Sequence, residues 1–236
     1  MEKGIGKDFF VASALMLAMS CASFAGFNSS GAFYSVTSSA GSASTTNIAT
    51  DISPYSWINN GSWSANGASV SWTNNLQGLN PQTGLGFLNA NIVVRNYTSV
   101  AQDFTIKAGM LGFSTGPFVG SGSIGGQFVN GSGSLGMLTS TGPLWSAGID
   151  GASLNGQLNN ALFFAQPYQI VSLGSFNFSN VSIGSIDNSA SVNFTFRLSA
   201  GGEASFTSAF SFQSVPGPAS IALIVLMPLA GSRRRR

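Results

Sequence analysis

Alternation of apolar and polar residues is the feature that most restricts how this chain can fold. Every second residue is apolar over 190–198, and the pattern returns over 204–212 after a glycine-containing turn at 199–203. A period of two places alternate side chains on opposite faces of a β-strand, so one face can be buried. We therefore expect the two segments to form a β-hairpin. The apolar positions are Ala190, Val192, Phe194, Phe196 and Leu198, then Ala204, Phe206, Phe210 and Phe212.

The same pattern predicts further short strands. No stretch of 26–214 shows a sustained helical repeat with caps, and residues 161–173 are compatible with one more strand. Short strands separated by Gly, Asn and Ser turns predict an all-β fold, an antiparallel β-sandwich of jelly-roll or immunoglobulin-like type, over 26–214. The other apolar triplets are Ala68-Val70-Trp72, Ala90-Ile92-Val94 and Phe104-Ile106-Ala108.

The composition excludes several classes of function. Charged residues make up 7% of the chain, histidine is absent, and Cys21 is the single cysteine. An internal disulfide or a Cys/His zinc site therefore cannot form, and we expect no cofactor. Residues 26–232 lack the basic stripe of a nucleic-acid-binding protein, so we expect no nucleic-acid partner. Their charges are Arg95, Lys107, Arg197, Asp51, Asp103, Asp150, Asp187 and Glu203.

Residues 1–25 have the layout of a secretory signal peptide. A short lysine-bearing region precedes an apolar stretch at 9–19 and then small residues, which predicts a signal helix and export through the inner membrane. The small-x-small pattern places cleavage after Ala25, with Ala22 as the alternative. Cys21 leaves a lipid-modified N-terminus open, and an uncleaved anchor is the remaining alternative.

The chain ends on an apolar run followed by four arginines, Arg233, Arg234, Arg235 and Arg236. As a helix, residues 216–232 would be about 25 Å long, the lower limit for crossing a bilayer. Arginines directly after such a segment act as a cytoplasmic stop because their translocation is unfavourable. We expect 215–236 to be a transient membrane tether. A plain single-span anchor is the alternative.

This tail resembles that of bacterial PEP-CTERM proteins, the substrates of exosortases. Tails of that family carry Val-Pro-Glu-Pro-Ala, an apolar span and a terminal arginine cluster. Gly217 stands where the family usually has glutamate, while both prolines are kept. The resemblance implies an exosortase-type processing enzyme as partner, with release to the cell surface or extracellular matrix. The matching motif is Val215, Pro216, Gly217, Pro218 and Ala219.

The body is also similar to that of many PEP-CTERM proteins. The similar segments are SVSW at 69–72, VVRNYT at 93–98, DFTI at 103–106 and FRLSAGGEASFTSAF at 196–210. This resemblance implies a shared sandwich and brings no catalytic residues.

Short motifs with known chemistry occur in settings that do not favour that chemistry. GSGSIG at 120–125 and GSGSLG at 131–136 match a phosphate-binding glycine pattern, but no helix start follows either. We interpret them as the two strands of one glycine-rich hairpin. GFSTG at 112–116 matches a nucleophile elbow, yet without histidine its serine lacks the usual base; we interpret it as a turn, as we do IDG at 149–151. A hydrolase would need the scattered acids to meet in a cleft.

Three tryptophans lie close together in the sequence, at Trp57, Trp63 and Trp72. Trp72 shares the apolar alternation of Ala68 and Val70, so core packing is the expected role. If the rings were exposed and coplanar they could instead stack on sugars. The sequence thus predicts a structural or adhesive exported protein and no enzyme. The alternative is a carbohydrate-binding module of the exopolysaccharide matrix.

Overall fold

Fourteen strands make up the secondary structure of the described residues. The structure is a computed structural model, and it describes residues 28–47, 56–78, 84–113, 117–159 and 161–215. The expected helices at 1–25 and 216–236 lie outside these ranges. The strands are β1 (Asn28–Ser38), β2 (Gly41–Asn47), β3 (Ser56–Ala65), β4 (Ala68–Gln77), β5 (Leu85–Asn96), β6 (Gln102–Phe113), β7 (Phe118–Asn130), β8 (Gly136–Thr139), β9 (Pro143–Ile149), β10 (Ala152–Asn159), β11 (Leu162–Ala165), β12 (Ile170–Ile183), β13 (Ser189–Leu198) and β14 (Gly202–Ser214).

The strands form two antiparallel sheets. One has six strands in the order β12-β7-β14-β5-β4-β3. The other has eight, in the order β10-β9-β13-β6-β1-β2, with β8 beside β13 and β11 beside β8. The expected all-β class and sandwich-like pair of antiparallel sheets are confirmed.

The core lies between the two sheets and is built by the predicted alternation. In β5 every second residue is buried from Gly86 to Asn96, and β14 alternates in the same way. Aromatic rings from opposite sheets meet in the middle: the ring of Phe206 lies 5.3 Å from that of Phe194 and 5.1 Å from that of Phe196, between centroids. Contacts at these distances add to the stabilisation from area burial.

The hairpin expected over 190–212 is wrong. β13 belongs to the eight-stranded sheet and β14 to the six-stranded sheet, so residues 199–201 form an arch between the sheets. Alternation specifies which face of each strand is buried, and it is the same for a hairpin and an arch. The apolar residues of these two strands therefore face each other across the core instead of lying side by side.

The glycine-rich hairpin expected over 120–136 is also wrong. Residues 120–125 lie inside β7, and 131–135 form an arch to β8, which pairs with β11 and β13. The glycines make room for large side chains of β12. A Cβ on Gly122 would lie 2.6 Å from Cε1 of Phe178, and one on Gly120 would lie 2.6 Å from Cδ1 of Ile183. Close packing explains Gly120 and Gly122 better than phosphate binding.

A buried asparagine closes the arch between β5 and β6. The Nδ2 group of Asn96 donates to the carbonyls of Val100, Leu198 and Ser199 at 2.8, 3.0 and 3.1 Å. Its Oδ1 accepts from the backbone N–H and the hydroxyl of Thr98 at 3.1 and 2.7 Å. One side chain thus fixes its own arch and the arch between β13 and β14.

Asn130 repeats this arrangement at the arch between β7 and β8. Its Nδ2 donates to the carbonyls of Ser134, Ala165 and Gln166 at 2.7, 3.1 and 3.0 Å. Its Oδ1 accepts from the N–H and hydroxyl of Ser132 at 3.1 and 2.8 Å. Asn130 therefore ties its arch to the one between β11 and β12.

Backbone bonds connect these arches to one another. The Gly201 N–H donates to the Asn96 carbonyl at 2.7 Å, and the Gly131 N–H donates to the Gly201 carbonyl at 3.0 Å. Gly201 has φ of +67°, which suits glycine. One end of the sandwich is thus closed by a continuous set of hydrogen bonds.

We predict that Asn96→Ala lowers the free energy of unfolding by about 2–4 kcal/mol, because carbonyls buried beside Asn96 lose their donor. Urea denaturation measures the change. Asn91→Ala, on an exposed position of the same strand, is the matched control and should change stability by less than about 0.5 kcal/mol. Equal effects of the two substitutions would contradict this role for Asn96.

Candidate ligand-binding surface

Two rows of side chains on the outer face of the six-stranded sheet carry mostly hydroxyl and amide groups. Strand register aligns Thr207, Asn91, Thr73 and Asn60 in one row across β14, β5, β4 and β3. The neighbouring row is Ser205, Val93, Ser71 and Ser62. This face can donate and accept many hydrogen bonds and has little charge.

A depression lies where β7, β12 and β14 meet on this face. Its volume is about 420 Å³, within the range of small-ligand sites. A Cβ on Gly125 would have the carbonyl of Gly174 as its nearest neighbour, at 4.0 Å, so the surface is open there. None of the described residues that line the depression is ionisable, and their polar side chains suit a hydroxyl-rich, neutral ligand. The lining residues are Gly125, Gly126, Gln127, Ile170, Ser172, Ser205 and Thr207.

Among the described residues, the charged side chains on this face are Arg95 and Glu203, which neutralise each other. Arg95 Nε donates to Glu203 Oε2 at 2.6 Å, at the end of the sheet near the asparagine arches. The hydrogen bond to Glu203 raises the pKa of Arg95, so the guanidinium stays protonated at neutral pH. On the other sheet, Arg197 and Asp103 form an ion pair at 3.3 Å.

The remaining described acids occupy a turn. The Asp150 carboxylate accepts the backbone N–H groups of Asp187, Asn188 and Ser189 at 2.8, 2.6 and 2.8 Å. Asp150 and Gly151 have φ of +52° and +83°, so the predicted turn at 149–151 is confirmed. The part of the chain described contains no group of three metal-ligating side chains. Asp51 and residues 114–116 of the GFSTG motif lie outside that part.

Trp72 is a core residue and not a sugar-stacking surface. It is 8% exposed, and its ring stacks on that of Tyr34 with centroids 3.8 Å apart and an interplanar angle of 14°. Its indole N–H donates to Asn59 Oδ1 at 3.0 Å. The core-packing expectation is therefore confirmed for Trp72, and the stacking alternative is wrong for this residue because its strand turns it inward.

The other two tryptophans lie on β3. Trp63 is half-buried and packs against the core, with its Cζ2 atom 3.5 Å from where a Cβ on Gly41 would stand. Trp57 pairs with Leu76 in the β3–β4 register, and its side chain lies outside the described residues. Trp63 and Trp72 thus do not form an exposed coplanar pair.

Two exposed tyrosines near the asparagine arches were missed at the level of sequence. Tyr97, in the β5–β6 arch, is 70% exposed, and Tyr168, between β11 and β12, is 75% exposed. Tyr168 precedes Ile170 of the depression by two residues. A ring flanked by polar or turn-forming residues, as in NYTS and QPYQ, falls outside the apolar alternation, and that signal would have identified both.

A buried polar cluster surrounds Trp72. The hydroxyl of Tyr34, Nδ2 of Asn59 and Oδ1 of Asn74 are buried and have no hydrogen-bond partner among the described residues. Asn59 and Asn74 are opposite each other on β3 and β4. Burial removes the Tyr34 hydroxyl from water and raises its pKa well above the ordinary value.

The residues of the predicted sorting motif are mostly outside the described ranges. Val215 follows β14, donates its N–H to the Pro117 carbonyl at 2.9 Å and is 40% exposed. Pro216, Gly217, Pro218 and Ala219, like Ala25 and Arg233 to Arg236, are not described. The ranges that are described include no helix able to cross a bilayer.

No protein-family model matches this chain, and no curated protein matches it in sequence. Among solved structures, the carbohydrate-binding module TmCBM61, in complex with β-1,4-galactotriose, matches at 8% identity and a TM-score of 0.23. The match covers 61% of this chain and 88% of that module. A TM-score of this size does not indicate a shared fold.

We predict that Tyr34→Phe leaves the free energy of unfolding at neutral pH unchanged or raises it by up to about 1 kcal/mol, because it removes an unpaired buried hydroxyl. Above pH 10.0, tyrosine's ordinary pKa, the unfolded wild type loses a proton that the folded protein keeps. Wild-type stability should then fall by about 1.4 kcal/mol per pH unit from this residue. The stability of Y34F should not show the part of this decrease that comes from Tyr34.

Urea denaturation at neutral and alkaline pH measures both effects. Trp72→Phe is the control, since it removes the indole bond to Asn59 and should destabilise the protein at neutral pH. A loss of more than about 1 kcal/mol for Y34F at neutral pH would mean that the hydroxyl has a partner.

Proposed function

We propose that the protein is an exported β-sandwich, sorted by an exosortase-type enzyme to the cell surface or extracellular matrix, where it has a structural or adhesive role. The tail resemblance supports the sorting step: Pro216 and Pro218, an apolar run and the terminal arginines occur in the order used by exosortase substrates. In this proposal the arginines stop translocation, and cleavage on the outer side then releases the sandwich from the membrane.

The neutral outer face of the six-stranded sheet is the observation that supports the extracellular role best. Its rows of hydroxyl and amide groups match the hydrogen-bonding groups of a neutral polysaccharide, and Arg95 and Glu203 neutralise each other. A broad surface of this kind favours many weak contacts over one tight site. The engagement of Asp103 and Asp150 in an ion pair and a turn further supports a role without catalysis.

A carbohydrate-binding module is the second candidate, and the depression favours it. Gln127, Ser172, Ser205 and Thr207 surround an open surface at Gly125, and exposed Ile170 supplies apolar contact. Carbohydrate recognition combines hydrogen bonds to hydroxyls with contact on the apolar faces of the sugar. The two candidates differ in whether binding is concentrated at this depression or spread over the sheet.

The sorting proposal predicts that the mature protein from exosortase-containing cells lacks Arg233 to Arg236. Cell fractionation with mass spectrometry of the C-terminal peptide measures this. Cells without the enzyme are the control and should retain the intact tail in the membrane fraction. Recovery of an intact Arg236 in the presence of a working enzyme would contradict the proposal.

The carbohydrate proposal predicts that the double variant Gln127→Ala/Thr207→Ala binds neutral exopolysaccharide about 5- to 30-fold more weakly, because each of the two lost hydrogen bonds contributes about 0.5–1 kcal/mol. Affinity electrophoresis in gels containing the polysaccharide measures this. Thr195→Ala, exposed on the outer face of the eight-stranded sheet, is the control and should bind like wild type. Unchanged binding by the double variant would exclude the depression as the binding site and would favour binding spread over the outer face of the sheet.

A further inference from the structure

β3 is the outermost strand of the six-stranded sheet at the side opposite β12. Within the described ranges no strand lies beyond it, so one edge of β3 has backbone groups that no described strand uses. An edge strand of this kind is a template for pairing with another strand.

The turn after β3 determines which residues direct their backbone N–H and C=O groups toward this edge. Asn66 and Gly67 have φ of +48° and +82°, the conformation of a two-residue hairpin turn, and Ala65 pairs with Ala68. In such hairpins the two residues that flank the turn form both backbone hydrogen bonds with each other. Hydrogen-bonded and non-hydrogen-bonded residue pairs then alternate along the two strands. Ile58, Asn60, Ser62 and Ser64 are therefore the residues whose N–H and C=O groups point away from β4.

The two edges of this sheet differ in how well they resist pairing. β12 has register shifts between Ser172 and Gly174 and between Phe178 and Val181, and bulges of this kind interrupt edge pairing. β3 pairs with β4 over all ten of its residues without a shift. It contains no proline and no charged residue. β3 thus lacks each of these protecting features.

We propose that β3 pairs antiparallel with β3 of a second copy of this chain, about a twofold axis at Gly61. In this register Asn60 lies opposite Ser62 of the partner subunit, and Ile58 lies opposite Ser64 of the partner subunit. The four outward-directed residues of each copy then form roughly eight inter-chain backbone bonds, two for each bonded pair. The two six-stranded sheets become one continuous sheet.

A second copy fits this edge better than a charged partner. β3 and β4 carry no charge, so two copies can approach without repulsion or the desolvation of ions. The side chains of Asn60 and Ser62 are exposed on the outer face, where they can bond across the new strand pair. The pairing also doubles the length of the row that contains Ser62, Ser71 and Ser205.

The test compares two lysine substitutions in the same row. Ser62→Lys places a charge on the edge strand, and Ser71→Lys places one on the adjacent inner strand, directly opposite Ser62. Sedimentation of the full chain in nonionic detergent measures the dimer dissociation constant. We expect wild type and S71K to form dimers and S62K to dissociate at least about 10-fold more readily. Circular dichroism checks that all three proteins are folded.

Amide hydrogen exchange tests the register. The amides of Asn60 and Ser62 should be protected in wild type at high concentration and should lose this protection on dilution or in S62K. The amide of Gly61, bonded to β4, should stay protected throughout and serves as the internal control. A monomeric wild type, a dimer that S62K does not weaken, or unprotected Asn60 and Ser62 amides in the dimer would each overturn the proposal.

Discussion

Two buried asparagine side chains, Asn96 and Asn130, are the constraint on which this sandwich depends. A chain that crosses from one sheet to the other leaves the hydrogen-bonding ladder, and its carbonyls would be buried without donors. Each asparagine donates to three carbonyls, from its own arch and from a second arch, and its bond to Leu198 or Ala165 is fully buried. The two hydrogens of each side-chain amide are shared among its three carbonyls, and the amide oxygen separately accepts from the backbone N–H of Thr98 or Ser132. The arches therefore hold the two sheets together at this end.

The aromatic core follows from these crossings. Because β13 and β14 lie in different sheets, the phenylalanines that alternate along each strand meet face to face, as Phe194 and Phe206 do. A hairpin would have put the same side chains in one layer. The asparagine-stabilised arches carry successive strands into different sheets. The period-two alternation determines which face of each strand is buried.

Sequence reasoning predicted what depends on neighbouring residues and missed what depends on distant ones. The alternation around Trp72 correctly placed that ring in the core, and the all-β class followed from many such segments. The arch at 199–201 is held by hydrogen bonds from Asn96, which lies 102 residues before Leu198, and no local signal in the sequence reveals that contact. The depression could not be predicted from the sequence either, because Gln127, Ser172 and Ser205 become neighbours only when β7 pairs with β12 and β14.

The scarcity of charge connects the surface with the edge. Arg95 with Glu203 and Arg197 with Asp103 place four charges beside the arches, and exposed pairs of this kind contribute little to stability. Among the described residues, no charged side chain lies in the rows through Thr73 and Ser71 or on β3. A neutral row of hydroxyl and amide groups experiences no charge repulsion from a second copy of itself or from a neutral polysaccharide. The same lack of charge that favours matrix contact thus also leaves β3 open to pairing.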